Sequence, residues 1–187
     1  ILEIVKMYKG IIGDIKEKAG VFPLKVGLVG EIYTLVEPYV NLNVEKKLGQ
    51  LGVEVHRSLT LNEWVKIHLS LDVVHRLQHK NILRKADPYL GLCVGGHAWQ
   101  TIANSVFFSE NNMDGIIQIM PFGCMPEIVA ESILPKVYED YGVPIMTLAV
   151  DEMTGEAGYS TRLEAFIDLM EQRRSRTSGK KGSFSGC

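Results

Sequence analysis

Cysteine is scarce in this sequence, and its placement excludes one class of protein. The 187 residues contain three cysteines, Cys93, Cys124 and Cys187, and no two of them are spaced as C-x-x-C. An odd number of widely separated cysteines does not make the disulfide framework of a small secreted protein. We therefore expect reduced cysteines and a cytoplasmic location.

Long apolar runs and an excess of one charge are also missing. No uninterrupted apolar segment approaches the ~20 residues that a membrane-spanning helix requires. Acidic and basic residues nearly balance and give a net charge of −2, whereas domains that bind nucleic acids usually carry a basic patch. We therefore expect neither a membrane nor a nucleic acid as a partner.

The N-terminus lacks the features of a targeting signal. It reads Ile1-Leu2-Glu3-Ile4, without an initiator methionine or a basic segment, so it does not resemble a secretory signal peptide. We expect the sequence to be a fragment of a longer protein.

Short apolar segments typical of buried strands are present, and they alternate with helical patterns. The predicted strands are 25–29, 53–57, 115–120 and 145–150. The predicted helices are 2–18, 37–50, 61–85, 97–110, 126–141 and 161–173. Strands that alternate with helices form parallel sheets covered by helices on both faces. The sequence therefore predicts an α/β fold with an open, mostly parallel sheet of about four strands, of the flavodoxin-like or Rossmann-like kind.

Composition divides the chain into three segments. Residues 1–22 are predicted to form an N-terminal helix and linker, and residues 23–173 form the α/β domain. Residues 174–187 are rich in Ser, Gly and Lys, a composition typical of a disordered tail.

The topology predicts where a ligand binds. Ligands of open parallel sheets bind beyond the C-terminal ends of the strands, where helix N-termini also present their N–H groups. The ligand-binding candidates at these ends are Gly30, Glu31, Gly123, Asp151 and Glu152. The glycines near the first strand do not form a G-x-G-x-x-G pattern, so no dinucleotide cofactor is predicted.

Two cysteines are candidate metal ligands. Cys124 lies just before the predicted helix 126–141, and the N-terminus of a helix favours an anion such as a thiolate. It can therefore act as a nucleophile or a ligand, or it can pack as a small buried residue. Cys93 lies in a glycine-rich loop, residues 90–96, and the same choice between ligand and packing residue applies to it.

Thr161 and Arg162, at the last connection between strand and helix, are further ligand-binding candidates. Arg162 can contact a phosphate or pair with a nearby carboxylate. Thr161 can bind the same ligand through its backbone or serve as a helix cap.

Three histidines, His68, His75 and His79, fall near one face of a predicted helix. Arginine and lysine residues surround them in the sequence, and nearby cations disfavour a bound metal ion. The pattern favours a solvated basic surface.

Several motifs together resemble one known family. Residues 115–126 read GIIQIMPFGCMP, Asp151-Glu152 follows the next strand, and residues 161–166 read TRLEAF. Upstream, residues 26–33 read VGLVGEIY and are followed later by Gly96-His97. These segments resemble the 2-hydroxyacyl-CoA dehydratase D-component family and its uncharacterised relatives, which are often found with or fused to CoA-enzyme activases. The resemblance covers about residues 23–172.

The resemblance implies a flavodoxin-like or Rossmann-like fold and an iron–sulfur cluster of the 4Fe–4S type. Cys124, the cysteine of the Pro-Phe-Gly-Cys motif, would be a cluster ligand. Dehydratase members accept one electron from an ATP-dependent activase and remove water from a 2-hydroxyacyl-CoA. An activase or another partner domain, and an acyl-CoA, are the partners that the resemblance implies.

The sequence departs from a complete cluster site. A cluster commonly takes four thiolates, and the predicted folded body offers Cys124 and Cys93. We expect a domain of an iron–sulfur, one-electron redox protein whose isolated chain lacks part of the ligand set. The alternatives are a non-catalytic scaffold domain of a larger activase-type protein and a domain that binds CoA or another phosphate-bearing ligand.

Overall fold

A computed structural model describes residues 2–14, 22–68, 73–92 and 94–181. Four strands are present in this part of the chain: β1 (Leu24–Gly30), β2 (Val53–Arg57), β3 (Gly115–Pro121) and β4 (Ile145–Val150). The helices are α1 (Leu2–Gly13), α2 (Ile32–Val36), α3 (Val44–Gln50), α4 (Leu61–His68), α5 (Val73–Leu83), α6 (Ala98–Glu110), α7 (Met125–Tyr141) and α8 (Glu156–Lys181). A single 3-10 turn, Arg84–Ala86, follows α5.

The four strands form one parallel sheet in the order β2-β1-β3-β4. Leu24 of β1 lies opposite Val53 of β2, and Gly30 of β1 lies opposite Ile119 of β3. This arrangement confirms the predicted α/β fold with an open parallel sheet. The order of the strands reverses between β1 and β3, and such a reversal opens a crevice at the C-terminal edge of a sheet.

Helices cover both faces of the sheet. On one face, residues such as Leu28 and Ile117 pack with α2, α3 and α8 in the main core. On the other face, Val29 and Ile116 pack against Phe108 of α6, and α6 and α7 share a second core. The internal strands β1 and β3 therefore contribute side chains to opposite cores, as expected of strands that are buried on both sides.

A glycine sets the distance between α6 and the sheet. A Cβ atom built on Gly27 of β1 would lie 2.3 Å from Cδ2 of Phe108. A larger residue at this position would push α6 away from β1, and α6 carries several of the polar residues described below.

Three predicted helices are shorter or divided in the structure. The predicted helix 37–50 begins only at Val44, as α3, and a short helix, α2, precedes it at Ile32–Val36. Between them, the side-chain amide of Asn41 donates to the carbonyls of Thr34 and Leu35 at the end of α2. The predicted helix 61–85 is two helices, α4 and α5, and residues 69–72 lie outside the described residues. The predicted helix 2–18 ends at Gly13, before another segment, 15–21, that is not described.

The last helix is longer than predicted at both ends. It begins at Glu156 rather than Thr161, and it continues to Lys181, so it includes residues 174–181, which were expected in a disordered tail. Its first turns are helical because Tyr159 and Leu163 are buried in the main core, and burial outweighs the low helix propensity of glycine. Within the described residues, no helix has the length and hydropathy needed to cross a membrane.

Candidate functional site

The C-terminal ends of β1 and β3 lie side by side, and the chain leaves them towards opposite faces of the sheet. After β1 it enters α2, which packs in the main core through Leu35. After β3 it enters α7, which packs in the second core through Ala130. The starts of two helices therefore flank the point where the strand order reverses, which we call the switch-point crevice.

Gly30 and Glu31 form the β1 side of this crevice. Gly30 has a φ of +135°, and a Cβ atom there would lie 1.9 Å from the carbonyl oxygen of Ile119. Only glycine fits so close to β3 in this conformation. The Glu31 carboxylate accepts a hydrogen bond of 3.0 Å from the backbone N–H of Thr34, so it caps the start of α2.

Cys124 forms the β3 side of the crevice. It is the N-cap residue of α7, and its side chain makes no capping hydrogen bond. Its backbone N–H donates to Pro121 (3.1 Å), and its carbonyl accepts from Ile128 (2.9 Å). The thiol is free and partly buried, and it lies at a helix start as the sequence predicts.

Gly123, just before Cys124, shapes the turn that follows β3. Its φ is +76°, and a Cβ atom built there would have no neighbour within 4 Å. The preceding Phe122 donates its backbone N–H to the carbonyl of Val150 at 2.9 Å. This bond ties the turn that carries Cys124 to the end of β4.

Cys93 lies outside the described residues, but its loop can be followed at Gly96. Gly96 has a φ of +55°, and a Cβ atom there would lie 2.7 Å from Cγ of Pro126. The glycine-rich loop therefore packs at its C-terminal end against the first turn of α7, beside Cys124. Within the described parts of the chain, no group of three or more His, Cys, Asp or Glu side chains is arranged to hold a metal ion.

Asp151 and Glu152 lie beyond β4, next to an open cavity of about 560 Å³ on the α3 and α8 face. Asp151 closes a turn, because its carboxylate accepts from the backbone N–H of Met153 (3.0 Å) and the hydroxyl of Thr154 (2.7 Å). Glu152 is exposed at the cavity rim. Lys47 binds the neighbouring Glu156 and holds the pKa of that carboxyl below its usual value.

Thr161 and Arg162 do not join these groups. Both lie inside α8, where the Thr161 hydroxyl donates to the carbonyl of Ala157 at 3.0 Å. The Arg162 guanidinium donates to the carbonyl of Thr147 in β4 at 2.6 Å. The backbone N–H of Thr161 is therefore not at a helix start, and the structure divides the predicted ligand-binding residues among the crevice, the open cavity and α8.

Glu127 is a polar residue that the sequence analysis missed. It lies in the first turn of α7 and is fully buried. The Thr101 hydroxyl lies 3.0 Å from each of its carboxylate oxygens, and the Gln118 amide donates to one of them at 2.8 Å. Burial raises the pKa of Glu127; the hydrogen bonds from Gln118 and Thr101 oppose this, and the charge of Glu31 adds to it.

The sequence held one signal for this network. Gln118 is the only polar residue in an otherwise apolar strand, and a buried amide needs hydrogen-bond partners. It has two, since its side-chain oxygen also accepts from the hydroxyl of Thr147 at 2.9 Å. The pattern did not reveal which residue of α7 the amide would meet.

A second cavity, which we call the α6 cavity, lies on the opposite face from Asp151. Its volume is about 150 Å³, and its walls include Gly30 of β1, Trp64 of α4, His79 of α5, and Gln100 and Thr101 of α6. His79, which was expected on a solvated basic surface, is half-buried in this wall. The α6 cavity and the open cavity beside Asp151 share no described residue.

No family model matches this chain, and no curated protein matches it.

Proposed function

We propose that this chain is a domain of an iron–sulfur protein that transfers single electrons, related to the 2-hydroxyacyl-CoA dehydratases or their activase-fused relatives, with Cys124 as a cluster ligand. One observation carries the proposal. A free, partly buried thiol lies at the switch-point crevice, at the start of α7. Thiolates are the usual ligands of iron–sulfur clusters, and a helix start stabilises a negative group.

The neighbouring glycine-rich loop supports the proposal. Gly96 packs against Pro126, two residues after Cys124, and the same loop carries Cys93 in the sequence. Cys93 is therefore the second ligand that we propose. A cluster commonly has four protein ligands, so the remaining ones would come from a partner domain or from other parts of the protein.

The residues fit a cluster as contributors to a shared site. A bound cluster would supply one-electron chemistry, and the chain would hold one side of that cluster through its cysteine ligands. Glu31 caps α2 on the other side of the crevice, so its carboxylate is held by the backbone of that helix. An ATP-dependent activase is the partner class that fits such a site.

A ligand-binding domain is the competing proposal, and one observation bears on how it would work. Arg162 donates to the backbone of β4, so a phosphate-bearing ligand such as CoA would be held by the crevice residues Gly30 and Gly123 without help from this guanidinium. A scaffold role needs neither the thiol nor the crevice.

Anaerobic reconstitution with iron and sulfide tests the cysteine proposal. 2-Mercaptoethanol in the buffer can complete coordination positions that the chain leaves open. We expect the full chain to acquire iron and a broad visible absorption band, with an EPR signal after reduction. We expect Cys124→Ser to lose most of the bound iron, because a hydroxyl is a poor replacement for a thiolate at iron.

Cys187→Ser is the matched control, because it removes a cysteine to which we assign no role. It should bind as much iron as the parent chain. A parent chain that binds no iron, or a Cys124→Ser variant that binds as much as the parent, would contradict the proposal.

A further inference from the structure

The most exposed apolar side chains are concentrated at the C-terminal edge of the sheet. Among the described residues, six large apolar side chains have exposed fractions between 73% and 86%. Five of them, which we call the apolar edge, are Tyr39, Leu92, Phe122, Met125 and Met153. The sixth, Phe22, precedes β1 at the opposite edge. Single exposed apolar residues are ordinary, but a group of them beside polar residues is typical of a surface that binds a partner.

Hydrogen bonds and one cavity join the segments that carry these side chains. Phe122 donates its backbone N–H to the carbonyl of Val150 at 2.9 Å, and Met153 donates to the nearby Asp151 carboxylate at 3.0 Å. Tyr39 lines the same open cavity as Asp151. The apolar edge is therefore a connected surface and not a set of scattered side chains.

The glycine-rich loop extends this surface. Gly96, at the end of the loop that carries Leu92, packs against Pro126. Pro126 directly follows Met125, so the loop lies beside the start of α7. The apolar edge thus borders Cys124 on both of its neighbouring segments.

The formal charge of this edge is entirely negative. The segments that follow the strand ends, residues 31–43, 58–60, 121–125 and 151–155, contain no Lys or Arg, and neither does the glycine-rich loop 90–96. The acidic residues of these segments are Glu31, Glu37, Asp151 and Glu152. Lys47 of α3 is paired with Glu156, so it does not offset these four charges.

The combination of apolar side chains and carboxylates indicates the kind of partner. An anionic membrane or a nucleic acid would meet charge of its own sign. A second copy of this chain, docked through the same edge, would bring carboxylates together, and like charges across an interface are costly. Aromatic and Met side chains are enriched at the centres of protein interfaces, and Lys or Arg on a partner would complement the carboxylates.

We propose that the apolar edge and its carboxylates form a docking surface for a protein partner that presents apolar side chains bordered by Lys and Arg. The surface surrounds Cys124, but docking uses other side chains and does not require iron. Binding is therefore measured on the chain without iron, and failure of the cluster proposal would leave the docking test intact.

An NMR titration of the full chain with two synthetic peptides tests this surface. One is an amphipathic helix with Leu on one face and Lys on the other, and the second has Glu in place of every Lys. With the Lys peptide we expect saturable shifts of the backbone signals of Tyr39, Phe122 and Met153, and weaker binding in about 0.5 M salt because salt screens the charges. The Glu peptide should bind at least about tenfold more weakly.

Variants separate the apolar and the charged contributions. The double variant Phe122→Ser, Met153→Ser should bind the Lys peptide at least about tenfold more weakly, whereas Phe22→Ser, at a side chain equally exposed on the opposite edge, should bind it unchanged. Glu152→Lys should also weaken binding. Glu164→Lys, with the same charge change at an exposed position of α8, should not. All four positions are exposed, so we expect the variants to fold.

The alternative occupants give distinct results. Absence of saturable binding, equal binding of the two peptides, shifts centred away from the apolar edge, or unchanged binding by the double variant would overturn the proposal. Light scattering tests the second copy: a dimer of the parent chain that the double variant abolishes would assign this surface to self-association and would also overturn it.

Discussion

Glu127 couples the stability of the fold to pH. Its pKa is raised above the ordinary value of 4.5 in the folded protein, so the unfolded chain loses this proton first as the pH rises. The contribution of Glu127 to stability is therefore complete below about pH 4.5, and it is lost as the pH rises through the folded pKa. Over that window the free energy of unfolding should fall by up to about 1.4 kcal/mol per pH unit.

Glu127→Gln removes this dependence, because glutamine resembles the protonated acid and does not ionise. The free energy of unfolding of the variant, minus that of the parent chain, should be larger at pH 7 than at pH 4. Urea denaturation of both chains at each pH would measure it. Glu131→Gln is a suitable control, since Glu131 is exposed one turn further along α7. A stability difference for Glu127→Gln that is the same at both pH values would show that Glu127 does not titrate in this way.

Among the described glycines, Gly30 leaves the least room for a side chain. We expect Gly30→Ala to lower the free energy of unfolding by on the order of 3 kcal/mol or more, because its Cβ would lie 1.9 Å from the Ile119 carbonyl oxygen at a φ of +135°. Gly49→Ala, in a helix with open space around the added Cβ, should be neutral or slightly stabilising. Similar losses for the two variants would contradict the close approach of β1 and β3.

The roles of the residues at the strand ends could be predicted only in part from the sequence. Gly30, Glu31 and Cys124 could be located because each lies at or shortly beyond the C-terminal end of a recognisable strand. Glu127 could not, because its partners Thr101 and Gln118 come from α6 and β3, and no periodic pattern in one element shows which residues of another it will meet.

Among the elements, the start of α8 shows how tertiary packing can override a prediction made from local sequence. Gly155 and Gly158 favour a loop, and the predicted helix began after them at Thr161. The observed helix begins at Glu156, and Tyr159 is 3% exposed. Burial of such a side chain outweighs about 1 kcal/mol of unfavourable glycine propensity.

Gly158→Ala tests where α8 begins. A Cβ atom at this position would meet no neighbour within 4 Å, so alanine should stabilise the protein by about 0.5–1 kcal/mol through its better helix propensity. Chemical denaturation would measure the change. If residue 158 were in a loop before a helix that begins at Thr161, as the sequence pattern predicts, the substitution would have little effect.

For the molecule as a whole, the sequence determines the sheet more clearly than the site. Four short apolar segments, each followed by a helix, were enough to predict a parallel sheet, and the observed order β2-β1-β3-β4 agrees with that fold class. The same topology predicts which edge carries the ligand-binding loops. It does not predict the face to which each loop turns, which is why Asp151 borders one cavity and Gly30 another.

The central position of β1 has a consequence for how the protein is made. During synthesis, β1 can pair with β2 soon after both leave the ribosome, but its other partner, β3, appears much later in the chain. Parallel pairings between distant segments close large loops and form slowly. Until β3 arrives, one edge of the apolar strand β1 stays open, and an open edge is a template for pairing with another chain. A strand that is paired on both edges in the finished protein is therefore open to aggregation while the protein folds.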